Sequence, residues 1–371
     1  MRIIRRLVAG STALALGAAA LTVAGSPASA HPSPVAHYYP LAGNSQYLVY
    51  SKDHAPNGSR GYTGCSHGSP TLHVRTKSGR THTLPVPHTG SGKHYSDDVN
   101  PCYGLDLTGH FLTLEGIGGY RDTMYWWDLE QHTHGKVQLP GRNTKIAVVG
   151  TVSGGWLFAN IHESRSDYYT ATTIYRQGTG GKVTTYAKLA RFSLFDVETS
   201  AHGLLVGRGA EPLRYLPAGS SKVRTLDAPA HAYGSKSCFG LTSTYAACQA
   251  DHYGGSDNLR DQQISITPLT GGPTVASTRV FDPASVTLDQ DSVTAGPNGV
   301  VALVYRSTAS SGLNDVPTDL RSFDTGGRVH SASGHGATAL VVAYDKIIVA
   351  HRGGRLTSQG SVTGAQHTLL H

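Results

Sequence analysis

Tyrosine, histidine, carboxylate and arginine side chains gather in a few polar stretches of this sequence, a mixture suited to recognising a polar ligand. One stretch carries Tyr120 and Arg121, a second His162, Glu163, Arg165 and Tyr168, and a third Asp251, His252 and Tyr253; Asp97 lies in a fourth. An aromatic ring can stack on the apolar face of a sugar while carboxylate and guanidinium groups bond its hydroxyls. These residues form the candidate ligand-binding set, and the expected ligand is an extracellular protein or a cell-envelope glycan. The same carboxylates admit a second reading, a polysaccharide lyase or glycoside hydrolase. Glycoside cleavage needs two acids about 5–9.5 Å apart. Asp97, Glu163 and Asp251 come from separate stretches, so only the fold can set their spacing, and no catalytic residue is assigned.

Other chemistries find less support. Asp251, Asp257 and Asp261, and the Asp289-Gln290-Asp291 triplet, offer oxygen ligands to calcium, but no D-x-[DN]-x-[DN]-G loop is present. No cofactor is assigned, and calcium is the one these carboxylates would suit. If the chain is cleaved after Ala30, His31 becomes an N-terminal residue whose amine and imidazole can chelate copper. The following Pro32-Ser33-Pro34 reads as a tail rather than a metal scaffold. The other histidines are scattered, and His132, His134, His330 and His367 are expected on turns or outer strands as polar surface residues. No G-x-S-x-G elbow, H-E-x-x-H motif or P-loop occurs.

Residues 1–30 read as a secretory signal peptide. Arg2, Arg5 and Arg6 form a positive n-region, Leu7 to Val23 is small and apolar, and Ala28-Ser29-Ala30 is a cleavage site. The chain is expected to be secreted, and residues 31–371 to form a single monomeric domain. No later stretch reaches the length of a membrane span. Three of the 31 basic residues lie in the leader, leaving 28 against 24 acidic ones. That small excess, with no Lys/Arg run, excludes a strong nucleic-acid binder. Four cysteines in an exported chain imply two disulfides, and proximity favours Cys65–Cys102 and Cys238–Cys248.

The elements that must position these residues are strands. No helical periodicity is sustained, whereas a strand, a glycine turn and a second strand recur seven times. Leu72–Arg75, Ser78-Gly79 and Thr81–Leu84 form the first unit. The second is Met124–Leu129, a turn at His134-Gly135, and Lys136–Leu139. The later turns fall at Gly181, Gly219, Gly272, Gly327 and Gly364. Successive turn glycines lie 37 to 56 residues apart, bracketing the roughly 40–50 residues of a propeller blade. Inner strands precede each hairpin, such as Ile146–Val149 and Trp156–Asn160 in the third unit and Phe192–Phe195 in the fourth. The expected fold is all-β, a seven-bladed β-propeller of four-stranded antiparallel blades. At the level of this blade pattern the chain resembles secreted WD40-like and TolB-like propellers, and Trp127-Asp128 resembles a WD dipeptide. The polar stretches then become long loops on one face (residues 51–70, 88–101, 116–122, 162–170, 251–261 and 307–319), opposite the tight glycine turns. That long-loop face is the expected site.

Overall fold

Runs such as Leu48-Val49-Tyr50, Leu204-Leu205-Val206 and Val300–Val304 have no polar alternation, the pattern of a strand buried on both faces. All of these residues are buried. In the computed structural model each run is a second strand, flanked on both sides within its own sheet and covered on both faces by neighbouring sheets. The structure describes residues 35–55, 71–85, 105–114, 125–137, 146–160, 170–193, 197–208, 211–226, 236–253, 259–276, 287–305, 318–334, 336–351 and 353–370.

These residues form seven four-stranded antiparallel sheets, each built from four consecutive strands. Blade 1 holds β1 (Val35–Gly43), β2 (Tyr47–Ala55), β3 (Thr71–Thr76) and β4 (Thr81–Leu84), and blade 2 holds β5 (Leu105–Thr108), β6 (Phe111–Leu114), β7 (Tyr125–Asp128) and β8 (Thr133–Lys136). Blade 3 holds β9 (Ile146–Val152), β10 (Gly155–Asn160), β11 (Thr170–Gly178) and β12 (Val183–Ser193), and blade 4 holds β13 (Val197–Ser200), β14 (Gly203–Arg208), β15 (Glu211–Pro217) and β16 (Arg224–Leu226). Blade 5 holds β17 (Lys236–Leu241), β18 (Tyr245–Tyr253), β19 (Leu259–Pro268) and β20 (Val275–Ala276). Blade 6 holds β21 (Thr287–Gly296), β22 (Gly299–Tyr305), β23 (Thr318–Asp324) and β24 (Val329–Ser333), and blade 7 holds β25 (Ala337–Ala343), β26 (Lys346–His351), β27 (Leu356–Gln359) and β28 (His367–Leu370). The molecule is a seven-bladed β-propeller.

The core is divided among the joints between blades, and strand alternation does the dividing. Leu48 and Tyr50 pack on blade 7, while Val49 between them packs on blade 2. Val300, Ala302 and Val304 face blade 5, and Val301 and Leu303 face blade 7. Successive side chains of a strand point to opposite faces, so each second strand serves two joints. Seven apolar clusters fill the seven joints.

No strand is shared between blades 1 and 7, so side chains and turn contacts close the ring. The Tyr38 N–H donates to the Gly354 carbonyl (2.9 Å), and the Tyr344 N–H donates to that of Asn44 (2.8 Å). Tyr344 and Asp345 both adopt left-handed φ values, 56° and 61°, in the β25–β26 turn. This strained turn sends the Tyr344 hydroxyl to the Arg75 carbonyl and sets Asp345 3.9 Å from Lys77. Burial pushes the Tyr344 pKa up to about 12, so the hydroxyl remains a donor.

Two sequence expectations need correction. The blade 2 hairpin does not turn at His134-Gly135. Asp128 Oδ1 accepts the N–H groups of Glu130 (3.1 Å) and Gln131 (2.9 Å), and His132 takes a left-handed φ of 55°, so the turn falls earlier. Gly135 lies within β8 under the Trp126 ring, where an added Cβ would sit 2.9 Å from the indole nitrogen. In blade 4 the first strand is β13, not 192–195, because β12 runs on and pairs Phe192 with Ala171 and Ser193 with Thr170. The Cys238–Cys248 disulfide is present, joining paired residues of β17 and β18 with an S–S distance of 2.10 Å. Cys65 and Cys102 lie outside the described residues.

Candidate functional site

Most of the expected ligand set lies where the structure is not described. Asp97, Tyr120, Arg121, His162, Glu163, Arg165 and Tyr168 are outside the described residues. Asp251, His252 and Tyr253 are not in a loop. Their backbone continues β18 and pairs with β19, Asp251 opposite Gln262 and His252 opposite Asp261. Their side chains are outside the description, as are those of Asp257, Asp261, Asp289 and Asp291. Among the described residues, no group of three or more His, Cys, Asp or Glu side chains is placed to hold a metal ion.

The described residues assemble a different site, a cleft of about 450 Å³ at the rim of the joint between blades 1 and 2. Two outer hairpins build it. In blade 1, the Gly79 N–H donates to the Thr76 carbonyl (2.9 Å) and the Thr76 N–H to that of Arg80 (2.8 Å), which closes the β3–β4 turn. Strand β4 then reads Thr81-His82-Thr83-Leu84. Because His82 pairs with Val74, and Val74 packs against blade 2, His82 emerges on the side facing blade 2. In blade 2 the Asp128-capped turn leads into β8, where His134 pairs with Trp127. Trp127 packs against blade 1, so His134 faces back across the joint. The His82 and His132 rings meet with centroids 5.2 Å apart and planes tilted by 54°.

The floor is apolar and buried: Val74, Trp127 and Leu129 are 2 %, 2 % and 7 % exposed. The walls are polar, formed by Ser78, Arg80, His82, Thr83, His132, Thr133 and His134, with Tyr47 at the inner end. Burial raises the Tyr47 pKa, with Glu130 and Asp128 adding to the effect, so its phenol stays protonated. The Trp127 indole N–H is buried without a partner among the described residues. Asp128 and Glu130 also line the cleft, but His110 engages both. Its Nε2 lies 3.6 Å from Asp128 and its Nδ1 3.5 Å from Glu130. The arrangement offers an apolar platform, hydroxyls, imidazole edges, two carboxylates and one guanidinium, and the Thr83 hydroxyl lies 3.2 Å from His73 Nδ1.

The sequence reading put His134 in the hairpin turn and took His132 and His134 as polar surface residues, and it did not include Arg80 or His82 in the ligand set. One signal was available. Thr81-His82-Thr83 and His132-Thr133-His134 are alternating stretches in consecutive units, and alternation puts like residues on one face.

No family model matches the sequence, and no curated protein matches it either. Solved structures are similar at the level of fold. The β-propeller domain of the trilobed protease from Pyrococcus furiosus, described as having an open velcro topology, gives a TM-score of 0.51 at 8% identity, covering 91% of this chain and 97% of that one. An acylaminoacyl peptidase from Pyrococcus horikoshii gives 0.51 at 11% identity, over 92% of this chain and 52% of that one. Prolyl oligopeptidase B from Galerina marginata gives 0.50 at 11% identity, over 91% and 51%. This chain spans about half the length of those two peptidases. At such identities the likeness establishes the propeller fold alone.

Proposed function

We propose that this chain is an exported ligand-binding propeller whose ligand is a cell-envelope glycan. The observation that carries the reading is the cleft between blades 1 and 2. An apolar floor that includes an indole lies beneath walls of hydroxyl, imidazole and guanidinium groups, which suits the two faces of a sugar. The leader sequence and the Cys238–Cys248 bridge support export, since disulfides persist in oxidising compartments. No helix among the described residues is long and apolar enough to cross a membrane.

The test is affinity electrophoresis of the secreted protein against cell-wall and plant polysaccharides, with product masses measured in parallel. Retention without products, lost in His82→Ala/His134→Ala, is the expected result. Shortened chains would replace binding with the carbohydrate-active reading. Retention of none of the polysaccharides would overturn the glycan reading. The intact mass of protein recovered from culture medium tests cleavage after Ala30.

A further inference from the structure

We infer that the blade 1–2 cleft selects an N-acylated sugar, and that the Trp127 indole N–H recognises it by donating to the acyl carbonyl. The inference rests on the glycan-binding role proposed above and concerns the same cleft.

An unmet hydrogen bond carries it. Trp127 lines the cleft, is 2 % exposed, and its Nε1–H has no partner among the described residues. Trp156, equally buried, donates to Gln177 Oε1 (3.1 Å). A buried donor without an acceptor costs the free protein stability, and a ligand that brings an acceptor recovers that cost as affinity. The surroundings decide which acceptor fits. An indole N–H only donates, so its best match is a group that only accepts. An ammonium group accepts nothing. A hydroxyl brings a hydrogen for which the apolar floor of Val74 and Leu129 has no partner. A carboxylate or phosphate would enter beside Asp128 and Glu130, which repel it, and His110 offsets those two only when protonated. An amide carbonyl is neutral and only accepts. In an N-acetyl group it comes with a methyl that suits Val74 and Leu129, and with an N–H that the cleft's carboxylates or threonine hydroxyls can accept. Imidazole and hydroxyl groups of the walls would bond the ring hydroxyls of the same sugar. His82, Thr83 and His132 are exposed, so these wall side chains can turn aside to let the carbonyl reach the floor.

The experiment is calorimetric titration of the full secreted protein at neutral pH with β-1,4-linked trimers of N-acetylglucosamine, glucosamine and glucose, which differ only in the substituent at one carbon. An acetylated alanine tripeptide amide is the peptide control. The N-acetylglucosamine trimer should bind at least about tenfold more tightly than each of the others. Trp127→Phe keeps an aromatic ring in the floor and deletes the donor. In that variant the preference for the N-acetylglucosamine over the glucose trimer should fall to about threefold or less, whereas loss of packing alone would weaken both trimers together. The native protein gives a second readout that does not depend on the variant's folding. In its isotope-labelled form the Trp127 indole N–H proton, assigned through its neighbours in the floor, should move downfield when the N-acetylglucosamine trimer is added, while that of Trp156, held by Gln177, stays. Equal binding of the three trimers, tightest binding of the glucosamine trimer, an unchanged preference in Trp127→Phe or an unmoved Trp127 signal overturns the inference while leaving a sugar-binding role intact. Tightest binding of the peptide overturns the inference and the glycan reading together. Binding of none of the probes overturns the inference; retention of a polysaccharide in the preceding experiment would then keep the wider reading separate.

Discussion

The joints between blades 1 and 2 and between blades 5 and 6 are built alike, yet their rims end differently. The first opens into a cleft of about 450 Å³. The second leaves a void of about 10 Å³, lined by Ile264, Val300, Ala302, Phe323 and Val329 with Arg321 and Ser322. That void is at the lower limit for one water molecule. The outer hairpins account for the difference. At the 5–6 rim, Val275 of β20 comes close to the blade 6 turn, so that an added Cβ at Gly327 would lie 3.0 Å from its methyl group. At the 1–2 rim the corresponding positions are threonine and histidine. Side chains of that kind lose solvation without gaining partners when they are buried. A propeller joint is therefore closed or open according to the residues of its outermost strands, while its inner core is apolar in either case.

The largest effect that can test this contrast comes from truncating each joint's aromatic residue. Phe323→Ala should cost about 3–5 kcal/mol of stability in urea unfolding, because Phe323 is buried in a tightly packed joint. Trp127→Ala should cost less, about 2–3 kcal/mol, because its space merges with an open cleft. Equal costs would mean that the 1–2 rim is closed in solution. Gly135→Ala should come next, losing about 1–3 kcal/mol as the Trp126 ring is displaced, which thermal unfolding would reveal.

A smaller effect separates the turns. Asp324 occupies in blade 6 the place of Asp128 in blade 2. The N–H of Arg328 holds its carboxyl below the usual range, with those of Gly326 and the nearby His330 adding to this. A lowered folded-state pKa stabilises the protein above the ordinary carboxylate range, and that contribution is lost as pH falls through the folded value. Asp324→Asn should therefore be less stable than the parent at neutral pH and equal to it in strong acid, as read from urea midpoints across pH. The smallest effect is that of Arg80→Ala on stability, within about 0.5 kcal/mol. A larger loss would show that the guanidinium holds the hairpins together.

The blade count and six of the seven hairpins were legible because each rests on local information, a β-rich run, a glycine able to take positive φ, and a second run. Blade 2 misled because its turn uses Asp128 and His132, while its glycine serves the close approach of Trp126. Blade 4 misled at its inner strand because β12 continues past the length that local propensity indicates, held by β11. The Cys238–Cys248 bridge followed from proximity within one hairpin. The cleft was not legible. His82 and His132 are 50 residues apart, and their meeting depends on strand register in two blades at once.

By itself the sequence determined the class of fold and the order of its blades, since β-rich runs and turn chemistry act over a few residues. Only the tertiary structure decided which joint stays open and which polar side chains face each other across it. A one-residue change in register moves every side chain of a strand to its other face, and the ring must close before neighbouring hairpins share a rim.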